Sequence, residues 1–133
     1  MIYDSIFQYA KSYITAHSQY SPLVLKVSPQ QQKKFPLVII RQIRDPLIDE
    51  NLDKTDQRFK IVFEIEIYAI DKAETIKEEI TEELIGLVND VFDEHYGFNR
   101  KTNANIPNID LNVNRQHMRY EGKLDENNII YRR

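Results

Sequence analysis

The segment from Arg58 to Tyr96 carries the clearest hydrophobic pattern in the chain. Apolar side chains occupy every second position from Phe59 to Ala69, which is the period of a β-strand with one buried face. An amphipathic segment follows directly and ends at Gly97. Its apolar residues recur at helical spacing and are Ile76, Ile80, Leu84, Leu87, Val88, Val91 and Phe92. The pattern predicts a strand whose apolar face is covered by the next helix.

The sequence also predicts where this helix begins and ends and which residues form its outer face. Asp71 is a favourable N-cap, and Glu74 stands where it can complete a capping box, so we predict that the helix begins at Asp71. Gly97 is a natural left-handed cap at the other end. The outer face is acidic, with Glu74, Glu78, Glu79, Glu82, Glu83, Asp90, Asp93 and Glu94.

Weaker patterns occupy the chain before the long strand. Residues 2–17 have helical spacing, and Leu23 to Val27 suits a brief strand between two prolines. Leu37 to Ile40 predicts a strand that is buried on both faces or lies centrally in the sheet, and that continues towards Arg44. Residues 45–57 form a long loop, whose Leu47, Ile48 and Leu52 either contact a partner or fold back under the loop.

The chain after the helix predicts two more strands. Asn99 to Asn108 is rich in Asn and ends near Pro107, so we predict a loop there. Alternation predicts a second long strand from Ile109 through Arg119, then a turn from Gly122 to Asn128 and a closing strand at 129–131. The whole predicts one α+β domain over residues 1–133, with a mixed or antiparallel sheet of about four to five strands packed on one side by two helices.

Composition narrows the class of protein. The absence of cysteine excludes disulfides and thiolate metal sites, and the first twenty residues lack the apolar core of a signal peptide. We therefore expect an intracellular, soluble protein without a membrane partner. Residues 71–96 carry nine acidic and two basic side chains, whereas residues 1–43 carry five basic and one acidic. This asymmetry either favours head-to-tail association between copies or reflects a solvated helix face.

Signals for chemistry are weak. Three glycines cannot form a phosphate-binding or dinucleotide-binding loop, and the three histidines lack metal-site spacing. Glu64 and Glu66 share one face of the long strand. They are typical of a solvated sheet face, but with Asp110 or His117 they also fit a small metal-dependent hydrolase or nuclease. We expect no catalytic, metal-binding or cofactor-binding residue.

Basic and aromatic residues in the last third of the chain suggest a surface that could bind nucleic acid. Together they would suit a single-stranded nucleic acid, but the acidic helix and the acidic total argue for subunit contacts instead, so we expect no sequence-specific nucleic acid. These residues are Arg100, Lys101, Arg115, Arg119, Tyr120, Arg132 and Arg133. A regulatory or adaptor domain that binds another protein through the acidic helix is a further hypothesis.

Several pieces stand in a characteristic order along nearly the whole chain. They are the N-terminal helix, Phe35–Arg41, the long loop, Phe63–Asp71, the acidic helix with Gly97–Arg100, Pro107–Asp110, Arg115, Met118–Gly122 and Ile130–Arg132. In order, size and spacing they resemble the tail terminator, or tail-completion, proteins of long-tailed bacteriophages.

The resemblance implies a structural protein of the virion, not an enzyme. Such a subunit closes into a ring, with a hexamer as the expected size, on the head-proximal end of the tail, after assembly in the host cytoplasm. It stops polymerisation of the tail tube and joins the tail to the head. Its partners would be copies of itself, the tail tube protein and the head connector protein, and a connector or minor capsid role belongs to the same class.

Under this hypothesis we predict an interface around the long loop, with an acidic helix flank facing arginines of another subunit. The predicted residues are Arg41, Arg44, Leu47, Ile48, Arg58, Glu79, Glu82, Glu83, Arg115 and Arg119.

Overall fold

The elements of the fold come from a computed structural model, which describes residues 2–27, 34–43, 59–72, 75–107, 110, 112–124 and 130–131. In chain order they are α1 (Ile2–His17), β1 (Leu23–Leu25), β2 (Leu37–Ile43), β3 (Phe59–Ala69), α2 (Lys77–Asn89) with a π-helical extension (Asp90–His95), β4 (Asn99–Ile106), β5 (Asn114–Leu124) and β6 (Ile130–Tyr131).

The strands form one open, mixed sheet in the order β1-β2-β3-β5-β4. β1 and β2 are parallel, and the other neighbours are antiparallel. β6 pairs with the last two residues of β5. The predicted α+β class, the mixed sheet and its two helices are therefore confirmed.

Both helices lie on one face of the sheet and form the main core with it. Alternate residues of β3, from Ile61 to Ala69, are buried on this face, as the alternation predicts. Ile6, Phe7, Ala10 and Ile14 pack on them from α1, and Ile80, Leu84, Val88, Val91 and Phe92 pack from α2 and its extension. Burial of this apolar surface is the dominant stabilising contribution.

Four aromatic rings fill the centre of this core. The ring centroid of Phe92 lies 5.2 Å from those of Phe63 and Tyr120, and the rings of Phe63 and Phe98 are stacked at 6.0 Å. The hydroxyl of Tyr120 donates a hydrogen bond to Asn89 Oδ1 at 3.0 Å, which satisfies its buried polar atom. Burial raises the pKa of Tyr120 to about 12.

The start of α2 corrects the sequence prediction. The helix begins at Lys77, because Lys72 and Thr75 form a β-bridge and Ile76 has extended backbone angles. The N-cap position is Ile76, without a side-chain cap, so the prediction of Asp71 as N-cap is wrong. Asp71 Oδ1 instead accepts a hydrogen bond from the N–H of Lys77, the first residue of the helix, at 2.8 Å. Ile76 is half exposed and does not belong to the buried stripe. Glu74, the other half of the predicted capping box, lies outside the described residues.

The segment predicted as an Asn-rich loop is strand β4. It pairs antiparallel with β5 at the edge of the sheet, where polar side chains on both strand faces stay hydrated and hide the alternation. β5 starts at Asn114, because Asn112 and Val113 belong to a turn, and it passes through Gly122 without turning.

The remaining strand predictions hold where the structure describes them. β1, β2, β3 and β6 lie at their predicted places, and Leu37 to Ile40 is buried on both faces. Gly97 adopts the predicted left-handed conformation, with φ of 71°. The loop at 45–57 lies outside the described residues, as do Ile109 and Leu111. No helix in the described part of the chain is long and apolar enough to cross a membrane.

Candidate interaction surfaces of the sheet

The sheet face turned away from the helices carries a network of charges. Because side chains alternate along a strand, the residues between the core positions of β2, β3 and β5 project from this face. The register places Glu64 opposite Arg119, Glu66 opposite His117, and Arg41 of β2 opposite Glu64. Across the three strands, Arg41, Glu64 and Arg119 thus place opposite charges next to each other, which is favourable for cross-strand pairs.

Glu66 is the centre of this network and is buried, with 6% of its surface exposed. Its Oε1 lies 2.7 Å from Arg115 Nη2, and its Oε2 accepts a hydrogen bond from the hydroxyl of Tyr68. Burial alone would raise the pKa of Glu66. The hydrogen bonds from Tyr68 and Arg115, with the charges of Arg115 and Arg41, outweigh burial, so the pKa lies below its ordinary value.

Glu64 is held more loosely on the same strand. Its carboxylate oxygens lie 3.5 Å from Arg41 Nη2 and 3.7 Å from His117 Nε2. Asp110 lies in the turn before β5, where its carboxylate accepts a hydrogen bond from the N–H of Asn112. Among the described residues, no group of three or more His, Asp or Glu side chains could hold a metal ion. Arg41 and Arg115 instead form ion pairs with Glu64 and Glu66, which connect neighbouring strands of the sheet.

An apolar cluster lies on the same face, beside the charges. Leu37, Ile39, Tyr68 and Val113 are buried there, with Leu23, Leu25, Phe35 and Ile70 packed against them. The guanidinium of Arg115 lies 5.6 Å from the centroid of the Tyr68 ring, within the range of a cation–π contact. The cluster explains why β2 is buried on both faces.

A basic pocket of about 370 Å³ opens where β4 begins and β5 ends. We call it the lysine pocket. Three lysines on three strands line it, namely Lys60, Lys101 and Lys123, with Gly97, Asn99, Glu121 and Gly122. Sequence reasoning missed this site because the lysines are far apart in the chain. The β3–β5 register places Lys60 opposite Lys123, and Lys101 stands at the bulge of β4, where the register with β5 shifts between Arg100 and Thr102.

A shallow groove of about 420 Å³ lies at the other end of the same two strands, on the helix side of the sheet. We call it the acidic groove. It is lined by Glu78, Thr81, Glu82, Ile85, Asn105, Asn114 and Gln116. Asn114 fixes its floor, since its Nδ2 donates to Thr81 Oγ1 at 2.8 Å and its Oδ1 accepts from Asn105 Nδ2 at 2.6 Å. Hydrogen bonds through Asn114 therefore connect α2 with β4 and β5 at the bottom of the groove.

Three of the predicted interface arginines, Arg41, Arg115 and Arg119, lie together on the charged sheet face, and each has a partner in its own chain. Arg41 and Arg115 contact Glu66, and Arg119 Nη2 lies 3.4 Å from Glu121 Oε1. These arginines are therefore less available to a second subunit than the sequence suggests.

The predicted acidic flank lies on α2, on the opposite side of the sheet from the arginines. Glu79 and Glu82 are exposed, whereas Glu83 Oε1 accepts hydrogen bonds from Ser18 Oγ at 2.6 Å and from the N–H of Gln19 at 3.3 Å. Glu83 therefore links the end of α1 to α2 within one chain. Arg44, Leu47, Ile48 and Arg58 lie outside the described residues.

The hypothesis that the chain binds single-stranded nucleic acid required an exposed aromatic side chain, and Tyr120 does not provide one. Tyr120 is fully buried in the core, so its ring cannot stack on a base. Arg100 and Lys101 are exposed on β4, while Arg132 and Arg133 lie outside the described residues.

Comparison with known proteins adds no family to this geometry. The chain matches no protein-family model, and no curated protein matches it.

Proposed function

We propose that this protein is a structural subunit of virion assembly. It forms a ring on the end of a phage tail tube, stops polymerisation of the tube and helps to join the tail to the head. Hexamers are the expected rings, and the partners are further copies of the chain, the tail tube protein and the head connector protein.

The open outer edge of β4 is the observation that carries the proposal. β4 is eight residues long, its side chains are exposed or half-exposed, and no strand pairs with its outer side in the part of the chain that the structure describes. A row of unpaired backbone N–H and C=O groups is a template for pairing with another chain. A ring requires a heterologous interface, in which one surface of a subunit binds a different surface of the next subunit. An open strand edge can be one of these two surfaces.

The assignment to a tail is supported by the order of elements along the sequence. A short N-terminal helix, a long strand leading into an acidic helix, and a final long strand with Arg115 and Gly122 resemble tail terminator proteins. The tail tube and the head connector enter the proposal through this resemblance. The described carboxylates do not favour the hydrolase alternative, because Arg41 and Arg115 hold Glu64 and Glu66 in ion pairs.

Mass photometry and negative-stain electron microscopy of the purified protein, alone and with tail tube protein, test the proposal. We expect rings of uniform size in at least one of the two conditions, and shorter tubes when the protein is added to polymerising tube protein. A chain that stays monomeric in both conditions and leaves tube length unchanged would contradict it. Binding to the connector without binding to the tube would assign the chain to the neck of the virion instead.

A pair of proline substitutions tests the role of the β4 edge. Successive N–H groups of a strand point to opposite sides, so one of Asn103→Pro and Ala104→Pro removes a bond to β5 and the other removes an N–H from the outer edge. Thermal melts identify the outer-edge variant, because its melting temperature stays close to that of the wild type. We expect this folded variant to lose the rings. If it still forms them, the β4 edge is not the contact between subunits.

A further inference from the structure

We propose that the lysine pocket of one subunit receives the α2 side of the acidic groove of the next, with Glu78 and Glu82 as the groups that enter it. This contact rests on the proposed function, because it requires neighbouring copies of the chain. The proposal names the charged residues that orient each subunit head-to-tail against its neighbour in the ring.

The two surfaces cannot meet within one chain. The lysine pocket lies at Asn99, the first residue of β4, and the acidic groove lies at Asn105, six residues further on. This separation is roughly 20 Å at about 3.4 Å per residue. The surfaces also lie on opposite faces of the sheet, since Lys60 alternates with the core residue Ile61 whereas Gln116 of the groove lies on the helix side.

Each surface carries charge that the described residues of its own subunit leave uncompensated. Lys60 pairs with Glu121 at 3.3 Å, but Lys101 and Lys123 have no carboxylate partner among the described residues. In the acidic groove, Glu82 likewise has no cationic partner in the described ranges. Glu78 reaches only Lys77, at 3.9 Å, and its side chain is 60% exposed.

Opposite charges at opposite ends of one subunit produce a head-to-tail contact. Two lysine pockets repel each other, as do two acidic grooves, so a symmetric dimer through either surface is disfavoured. A contact between unlike surfaces repeats from subunit to subunit and closes into a ring when the rotation allows it. An acidic protein segment also fits better than a nucleic acid, because the lysines form a compact pocket on a chain of net charge −3 and not a stripe that follows a backbone.

Charge reversal tests this contact. The pocket variant carries Lys101→Glu and Lys123→Glu, and the groove variant carries Glu78→Lys and Glu82→Lys. Each variant alone brings like charges together, and we expect at least a tenfold weaker ring association by mass photometry. A control with Lys11→Glu and Lys34→Glu makes the same change of net charge as the pocket variant, at exposed positions outside both surfaces, and should form rings like the wild type.

Restoration distinguishes a direct contact from a general effect of charge. An equal mixture of the two variants should regain even-numbered rings, because each altered surface then meets its complement. A single chain that carries all four substitutions should regain rings of any size. Thermal melts of every variant check that the fold is retained.

The outcomes separate this contact from the proposed function. Wild-type rings that persist in either reversed variant, or that neither the mixture nor the fourfold variant restores, would overturn the contact and leave the ring proposal standing. So would a pocket variant that keeps its rings but loses binding to a single-stranded oligonucleotide probe. A wild-type chain that stays monomeric with and without tail tube protein would contradict both.

Discussion

The ring of Phe98 lies against the Cα of Gly122, in the place where any other residue would carry its Cβ. Phe98 is the residue just before β4 and is fully buried, and its ring stacks on Phe63 in the core. The absence of a side chain at Gly122 therefore lets the chain bring an aromatic residue over β5 as it enters β4.

We expect Gly122→Ala to destabilise the fold by about 1 to 3 kcal/mol, the usual cost of forcing an extra methyl group into a packed core. The added Cβ would overlap the ring of Phe98, which is fully buried and packed against Phe63 and Phe92. Urea unfolding at equilibrium measures the change. The matched control is Gly86→Ala in α2, where a built Cβ meets no atom within 4 Å. That change should stabilise the protein by about 0.5 to 1 kcal/mol, because alanine favours a helix interior. Equal stabilities of the two variants would refute this account.

Phe63→Ala should cost about 3 to 5 kcal/mol, since it leaves a cavity in the aromatic centre of the core. Phe63 is fully buried and contacts Phe92 and Phe98. Its cross-strand partner Gln42 is exposed and provides the control. Gln42→Ala should change the free energy of unfolding by no more than about 0.5 kcal/mol. An unchanged thermal melt of Phe63→Ala would mean that this face of β3 is not the core face.

Glu66→Gln should lower stability at neutral pH by about 1.5 to 3 kcal/mol, because it weakens charged hydrogen bonds to Arg115 and removes the negative partner of Arg41. The folded state lowers the pKa of Glu66, so the carboxylate contributes stability that is fully present above its ordinary value of 4.5. This contribution is lost as the pH falls through the lowered pKa. The stabilities of the wild type and Glu66→Gln should therefore converge as the pH falls below 4.5.

Urea unfolding over a series of pH values measures this convergence. Glu64→Gln is the control on the same strand and face, and its longer contacts predict a loss of only about 0 to 1 kcal/mol. A difference between wild type and Glu66→Gln that stays constant from neutral to acid pH would show that ionisation of Glu66 does not stabilise the fold.

Asp71→Ala should destabilise the protein by about 0.5 to 2 kcal/mol, the usual cost of removing a side chain that accepts a hydrogen bond from the first turn of a helix. The lost interaction is the hydrogen bond from the N–H of Lys77 to Asp71 Oδ1. Asp71→Asn keeps an oxygen acceptor and should stay close to the wild type in a thermal melt. If both variants melt alike and well below the wild type, the charge of Asp71 matters and not its hydrogen bond to Lys77.

Local patterns determined the central elements of this protein. Alternation along β3 and the helical spacing from Ile80 to Phe92 determine which side of each element is buried. An apolar surface must be covered, and the period of each element decides which residues share that surface. Gly97 similarly marks the end of the helical segment, since a left-handed residue is favoured there.

Tertiary structure decided what these patterns leave open. β4 is a strand because β5 offers it hydrogen bonds, although its own side chains are polar on both faces. The lysine pocket exists because antiparallel pairing places Lys60 opposite Lys123 across more than sixty positions of chain. Likewise, Arg115 is a partner of Glu66 and not a free surface charge. Sequence periodicity reports which way a side chain faces, whereas the identity of its neighbour depends on strand register, which is set only when the whole sheet assembles.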